Sequence, residues 1–218
     1  MDLCGGSPGA TGEVGTTGEG APASRRDVLR RGAIGGAGLL VAGIFLGRRL
    51  DAADAADAAP SKAQDERIFN FALLLEYLQA AFYTDGVIRS GLRGEIRAFA
   101  ETVSEHERQH VVYLRKALGA KARPRPTFEF AEATKNEKSF VATAMLLENL
   151  GVAAYNGQAA NLTKPALAAA AEIVSVEGRH AAWISALVGR NPAPRAADPG
   201  ASAAEVLAAL KRTGFVKR

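Results

Sequence analysis

Cysteine is almost missing from these 218 residues: the only one is Cys4. That excludes an intramolecular disulfide and any metal site built on cysteine. Cys4 also precedes the apolar run instead of following it, so it is not placed as a lipoprotein acylation site. Aromatic residues make up only 6% of the chain. No segment sustains the apolar/polar alternation of half-buried strands, which leaves an all-α fold as the default. Long basic runs are absent, and no basic stripe interleaves with aromatics, so nothing points to a nucleic-acid partner. The formal net charge is +4, but six of the basic residues lie before Pro60. The longest apolar stretch, GAIGGAGLLVAGIFLG (Gly32–Gly47), has 16 residues. A bilayer-spanning helix needs roughly 20.

What is present before Pro60 reads as an address. Residues 1–23 are rich in Gly, Ala and Thr, have little to bury, and are expected to be a disordered leader. Residues 24–59 open with SRRDVLR, in which Arg25, Arg26 and Leu29 precede the glycine-rich apolar stretch. This resembles a bacterial twin-arginine export signal followed by its cleavage region. Ala53/Ala55 and Ala56/Ala58 both offer small residues for cleavage, and retention as an uncleaved anchor stays open. The resemblance implies the twin-arginine machinery as a partner, and a periplasmic, cell-envelope or extracellular destination. It also implies membrane contact only through the signal segment. That route carries folded proteins, often with their cofactor already inserted.

From residue 60 to about 190 the punctuation divides the chain into four long helices. The first is expected from Gln64 to Ser90, with Ser61 and Gln64 spaced as a capping box and Gly91 as a stop. The second runs from Glu95 to Leu118 and ends at Gly119, after which Pro124 and Pro126 prevent continuation. The third spans Asn136 to Leu162, and the fourth Pro165 to Gly189. Residues 191–218 form a proline-rich tail in which SAAEVLAALKRTG suggests a short packing helix.

The four helices contain a repeat. LLEYLQAAFY (Leu74–Tyr83) and LLENLGVAAY (Leu146–Tyr155) share L-L-E-x-L-x-x-A-x-Y. A shift of 70 positions carries Glu107 to Glu177, His110 to His180, Tyr113 to Trp183 and Gly119 to Gly189. Short links within each pair and a long one between them fit a bundle with one long crossover.

On a helix, residues i and i+3 lie about 60° apart, so Glu107 and His110 can face one centre, as can Glu177 and His180. Glu76 and Glu148 stand among leucines and alanines, on faces expected to enter the core. Four uncompensated buried carboxylates would be costly. Two divalent cations would balance four carboxylates and two neutral imidazoles, and oxygen and nitrogen donors suit iron or manganese.

This doubled pattern, one Glu from each of two helices and one Glu-x-x-His from each of the others, resembles the ferritin-like superfamily. More closely it is similar to exported bacterial ferritin-like domain proteins related to desiccation-associated proteins. RPTFEF and FVATAMLLENLGVAAYNG look like that family too. The resemblance implies an all-α, ferritin-like four-helix bundle with one long crossover between helices two and three. It implies metal ligation by Glu76, Glu107, His110, Glu148, Glu177 and His180, two irons or manganeses, and chemistry with dioxygen or peroxide.

Three other readings stand beside it. A structural or stress-protective module would hold metal without turnover. Ferritin-style storage in a shell finds no support in the signal segment or the extended tail. HERQH (His106–His110) also spells the zinc-peptidase motif H-E-x-x-H, with Glu107 as general base. That reading leaves Glu76, Glu148 and the second copy unexplained, and Val176 stands where His106 would repeat. Tyr83 and Tyr155, seven residues after their glutamates, are read first as packing phenols, with donation to the carboxylates or redox activity as the alternatives. Gly151 and Gly178 either open a path to the metals or permit close packing.

Overall fold

The computed structural model describes residues 59–217. The leader and the twin-arginine segment lie outside the described residues. Helix α1 spans Lys62–Arg89, α2 Gly94–Leu118, α3 Glu137–Gln158 and α4 Lys164–Leu187. They form an all-α bundle in which α1 lies along α2 and α3 along α4. The long connection between α2 and α3 is the expected crossover. Among the described residues, no helix is long and apolar enough to cross a membrane.

Local chemistry explains the helix ends. Ser61 accepts from the Gln64 backbone N–H at 3.2 Å, which caps α1. The reciprocal half of the expected capping box is missing, because Gln64 Oε1 accepts from the Arg67 guanidinium instead. Asn136 caps α3 through the Ser139 N–H at 2.9 Å. Gly91, Gly119 and Gly189 all adopt positive φ (66°, 55° and 71°), the conformation that lets the chain leave a helix without a Cβ clash. α3 stops earlier than expected: its last turn tightens into a 3₁₀ segment, Ala159–Asn161, before Leu162.

Two apolar clusters sandwich a polar layer. On α2, Phe99 and Val103 belong to one cluster and Leu114 and Leu118 to the other; on α4, Ile184 and Ile173 divide the same way. Glu107, His110, Glu177 and His180 fall between them in sequence. The first cluster centres on Phe82, which stacks on Phe140 with ring centroids 5.0 Å apart.

The tail is more than an appendage. Helix α5 (Ala203–Thr213) has a complete capping box between Ser202 and Glu205 and buries Ala203, Val206 and Leu210. Strand β2 (Val216–Lys217) then pairs antiparallel with β1 (Thr127–Phe128) in the crossover. The all-helical expectation missed this strand pair, because two-residue strands carry no periodicity. Phe130 sits beside it, its ring 5.6 Å from Phe82 and 5.2 Å from Phe215, and so joins the crossover and the tail to the bundle core.

Candidate metal centre

All six sequence-predicted ligand residues meet in the polar layer. Glu76 projects from α1, Glu107 and His110 from α2, Glu148 from α3, and Glu177 and His180 from α4. Each is buried, from Glu107, Glu148 and Glu177 at 0% exposure to His110 at 9%. Two overlapping groups of four could each hold a metal ion: Glu76, Glu107, His110 and Glu177, and Glu107, Glu148, Glu177 and His180. Glu107 and Glu177 belong to both.

The distances follow the repeat. His110 Nδ1 lies 3.2 Å from Glu76 Oε2, 3.4 Å from Glu107 Oε2 and 3.4 Å from Glu177 Oε1. His180 Nδ1 lies 3.3 Å from Glu107 Oε1, 3.2 Å from Glu148 Oε2 and 3.9 Å from Glu177 Oε1. Glu107 thus turns one oxygen toward each imidazole.

These carboxylates are short of donors. Both oxygens of Glu107, Oε2 of Glu148, Oε1 of Glu177 and Nδ1 of His180 are buried without a hydrogen bond. Buried polar atoms are nearly always satisfied, so five in one cluster demand an explanation. Burial, and then repulsion from Glu177 and Glu76, pushes the Glu107 carboxyl well above its ordinary range. Burial likewise raises Glu177 to about 7. Burial alone would lower His110, but contacts to Glu107, Glu177 and Glu76 outweigh it and raise the imidazole to about 12. A cluster this unfavourable in its own charge, made only of carboxylate and imidazole donors, fits a pair of divalent cations.

The remaining lone pairs are held from outside. Tyr83 donates to Glu148 Oε1 and Tyr155 to Glu76 Oε1, both at 2.6 Å. These tyrosines pack in the core as expected, and they also orient carboxylates from the opposite copy, so packing was only half of their role. Gln79 was not singled out from the sequence. Its amide donates to Glu148 Oε1 at 3.2 Å and Glu177 Oε2 at 3.4 Å. The shift of 72 positions that carries Glu76 to Glu148 also carries Gln79 to Gly151. A Cβ at Gly151 would meet Glu177 Oε2 at 2.4 Å, so this glycine makes room for the carboxylate. A Cβ at Gly178 would meet nothing, so helix packing does not require that glycine.

Residues 64–190 match the ferritin-like domain family. The chain belongs to that family. A comparison with curated proteins finds no match.

Within this ferritin-like domain, His106 takes no part in either group of four. Its Nδ1 lies 2.9 Å from His180 Nε2, with the two rings stacked. Burial, and then the neighbouring His180 and His110, lowers its pKa. The zinc-peptidase reading needs His106 and His110 on one centre and Glu107 free to activate water. The ferritin-like geometry instead sets His106 behind His180 and Glu107 in both groups. His106, Gln109, Arg179 and Trp183 line a surface cleft that reaches His110 and His180.

Proposed function

We propose that the chain is an exported ferritin-like protein carrying two divalent metal ions, iron or manganese. They are held by Glu76, Glu107, His110, Glu148, Glu177 and His180. The observation that carries this reading is the pair of overlapping buried groups that share Glu107 and Glu177. When bound, the metals supply redox chemistry with dioxygen or peroxide. Glu107 and Glu177, common to both groups, would serve both ions, while Glu76 with His110 and Glu148 with His180 would each serve one. Tyr83, Tyr155 and Gln79 keep the carboxylates aimed inward through their hydrogen bonds. Bound metal would have to displace the protons that Glu107, Glu177 and His110, with their raised pKa values, hold in its absence. The two apolar clusters keep water from the carboxylates. The cleft beside His106 gives a small oxidant or reductant access at the edge formed by His110 and His180.

Export follows from Arg25, Arg26 and the apolar stretch behind them, with metal inserted before transport through the twin-arginine machinery. The destination is the periplasm, the cell envelope or the exterior. Replacing both arginines by lysine is expected to retain the protein in the cytoplasm; export of that variant by the same route overturns this part.

Metal analysis of protein purified from its native compartment, with an optical spectrum, tests the rest. About two metals per chain, and an absorbance change when the reduced form meets dioxygen or peroxide, are expected. A metal-free protein whose Glu107→Ala/Glu177→Ala variant is equally stable would sink the proposal. Bound metal without an absorbance change would leave a structural, non-catalytic role.

A further inference from the structure

The six ligand residues obey the repeat, but two of the polar contacts made to them from outside do not. Gln79 corresponds to Gly151, and His106 corresponds to Val176. Both departures favour the same half of the site. Gln79 donates to Glu148 Oε1, which already accepts from Tyr83. His106 Nδ1 contacts His180 Nε2 at 2.9 Å. Glu148 and His180 belong to one group of four; Glu76 and His110 belong to the other. In that other half, Glu76 Oε1 has the Tyr155 hydroxyl as its donor, and the Val176 side chain has no polar atom to offer His110. His110 is also the more open imidazole, with its side chain 11% exposed against 3% for His180.

We propose that the two metal positions are inequivalent: the Glu148–His180 position fills first and holds its metal more tightly, while the Glu76–His110 position is weaker and, of the two that border the cleft, the more exposed. The inference rests on the dinuclear reading above. When Nδ1 of His180 binds a metal, its Nε2 carries the proton and donates to His106 Nδ1. That hydrogen bond fixes the ring and makes Nδ1 a better donor to the metal. Gln79 fixes two carboxylates at once, Glu148 through Oε1 and Glu177 through Oε2, so less freedom is lost when a metal arrives. Among the described residues, His110 makes its polar contacts through Nδ1 alone, to the ligand carboxylates, and its Nε2 has no counterpart of the His106 contact. His106 and Gln79 are therefore positioning residues for one metal out of two, and exchange of metal, or binding of an external small molecule, belongs to the His110 side.

Anaerobic titration of the metal-free full chain with cobalt(II), followed by calorimetry and visible absorbance, tests this without reference to turnover. Two steps separated by about tenfold or more in affinity are expected, the range that loss of such outer partners commonly spans. His180→Ala should abolish the tight step, and His110→Ala should leave the tight step and remove the weak one. His106→Val copies the residue of the other copy at a partly exposed position. It should weaken the tight step about tenfold and leave the weak one in place, with His106→Gln restoring part of the loss. Gln79→Ala should act on the same step. Two equivalents bound in a single step, a tight step that survives His180→Ala, or equal weakening of both steps by His106→Val overturns the inference while leaving the dinuclear reading standing. Absence of any cobalt binding overturns both.

Discussion

Tyr83 on α1 donates its hydroxyl proton to Glu148 on α3, 2.6 Å away, while Tyr155 on α3 returns the same contact to Glu76 on α1. Each copy of the repeat therefore orients the carboxylate of the other. Both phenols are buried, and burial followed by the partner glutamate holds each well above the ordinary tyrosine range, so they stay donors. Tyr83→Phe keeps the ring and removes the donor. It is expected to cost about 1–3 kcal/mol in denaturant unfolding, the penalty of a buried acceptor left short of its partner. Tyr155→Phe should behave alike, and a variant as stable as the parent would show the bond to be worthless.

The metal-free protein should lose stability as pH rises. Glu177 is raised from the usual carboxylate value of 4.5 to about 7, and Glu107 is raised too. A group whose folded pKa exceeds its unfolded one binds more protons when folded, so its contribution is present below the unfolded value and fades through the folded one. His110 has the same sign, raised from 6.5 to about 12. Glu76, lowered from 4.5, acts in the opposite direction but below that window, and the lowered His106 opposes the trend within it, one group against the two raised carboxyls. The thermal midpoint of metal-free protein should therefore fall between about pH 4.5 and about pH 7, and excess manganese should reverse the trend. A midpoint that climbs across that interval without metal would contradict the raised carboxyls.

Two helical glycines beside the site should respond oppositely to alanine. Gly151→Ala brings a methyl group against Glu177 Oε2, so metal affinity should drop about 10–100-fold with the helix content unchanged. Gly178→Ala meets nothing and gains helix propensity, a stabilisation of about 1 kcal/mol. Titration separates the first from the second, and thermal melts check the second.

A third glycine tests the tail. A Cβ on Gly157 would collide with the Ala201 backbone carbonyl, and Ala201 N–H bonds to Ala153 O at 2.8 Å. Backbone cannot swing aside as a side-chain tip can, so Gly157→Ala should lift the segment leading into α5. We expect a loss of about 1–3 kcal/mol and faster hydrogen exchange over residues 201–217. Unchanged exchange there would show that the tail docks independently of this contact.

The helices and the six clustered residues were legible because each carries a doubled local signal. Glu76 and Glu148 stand out as charges inside apolar runs, and Glu107–His110 is echoed by Glu177–His180. Gly91, Gly119 and Gly189 mark helix exits because only a residue without Cβ turns there at little cost. What escaped depends on partners distant in sequence. Gln79 is an ordinary helix former in α1, and only the fold brings it to Glu177, 98 positions away. Asn70, whose side chain ties down the crossover at Lys121 O and Arg123 N, has no local mark either. The Ser61–Gln64 box failed because Arg67, one turn on, competes for the same amide oxygen.

Gln79 faces Gly151 across the bundle, with an imagined Cβ on the glycine only 3.6 Å from the glutamine nitrogen. A symmetric dimer of one helix pair could supply all six ligands and both tyrosines. It could not supply this contact: two glutamines would contend for one space, and two glycines would leave it empty. Joining both copies in a single polypeptide is what permits one large residue to lean on one small one. Covalent fusion thus adds no ligand to the site; it adds the freedom to make the two sides differ.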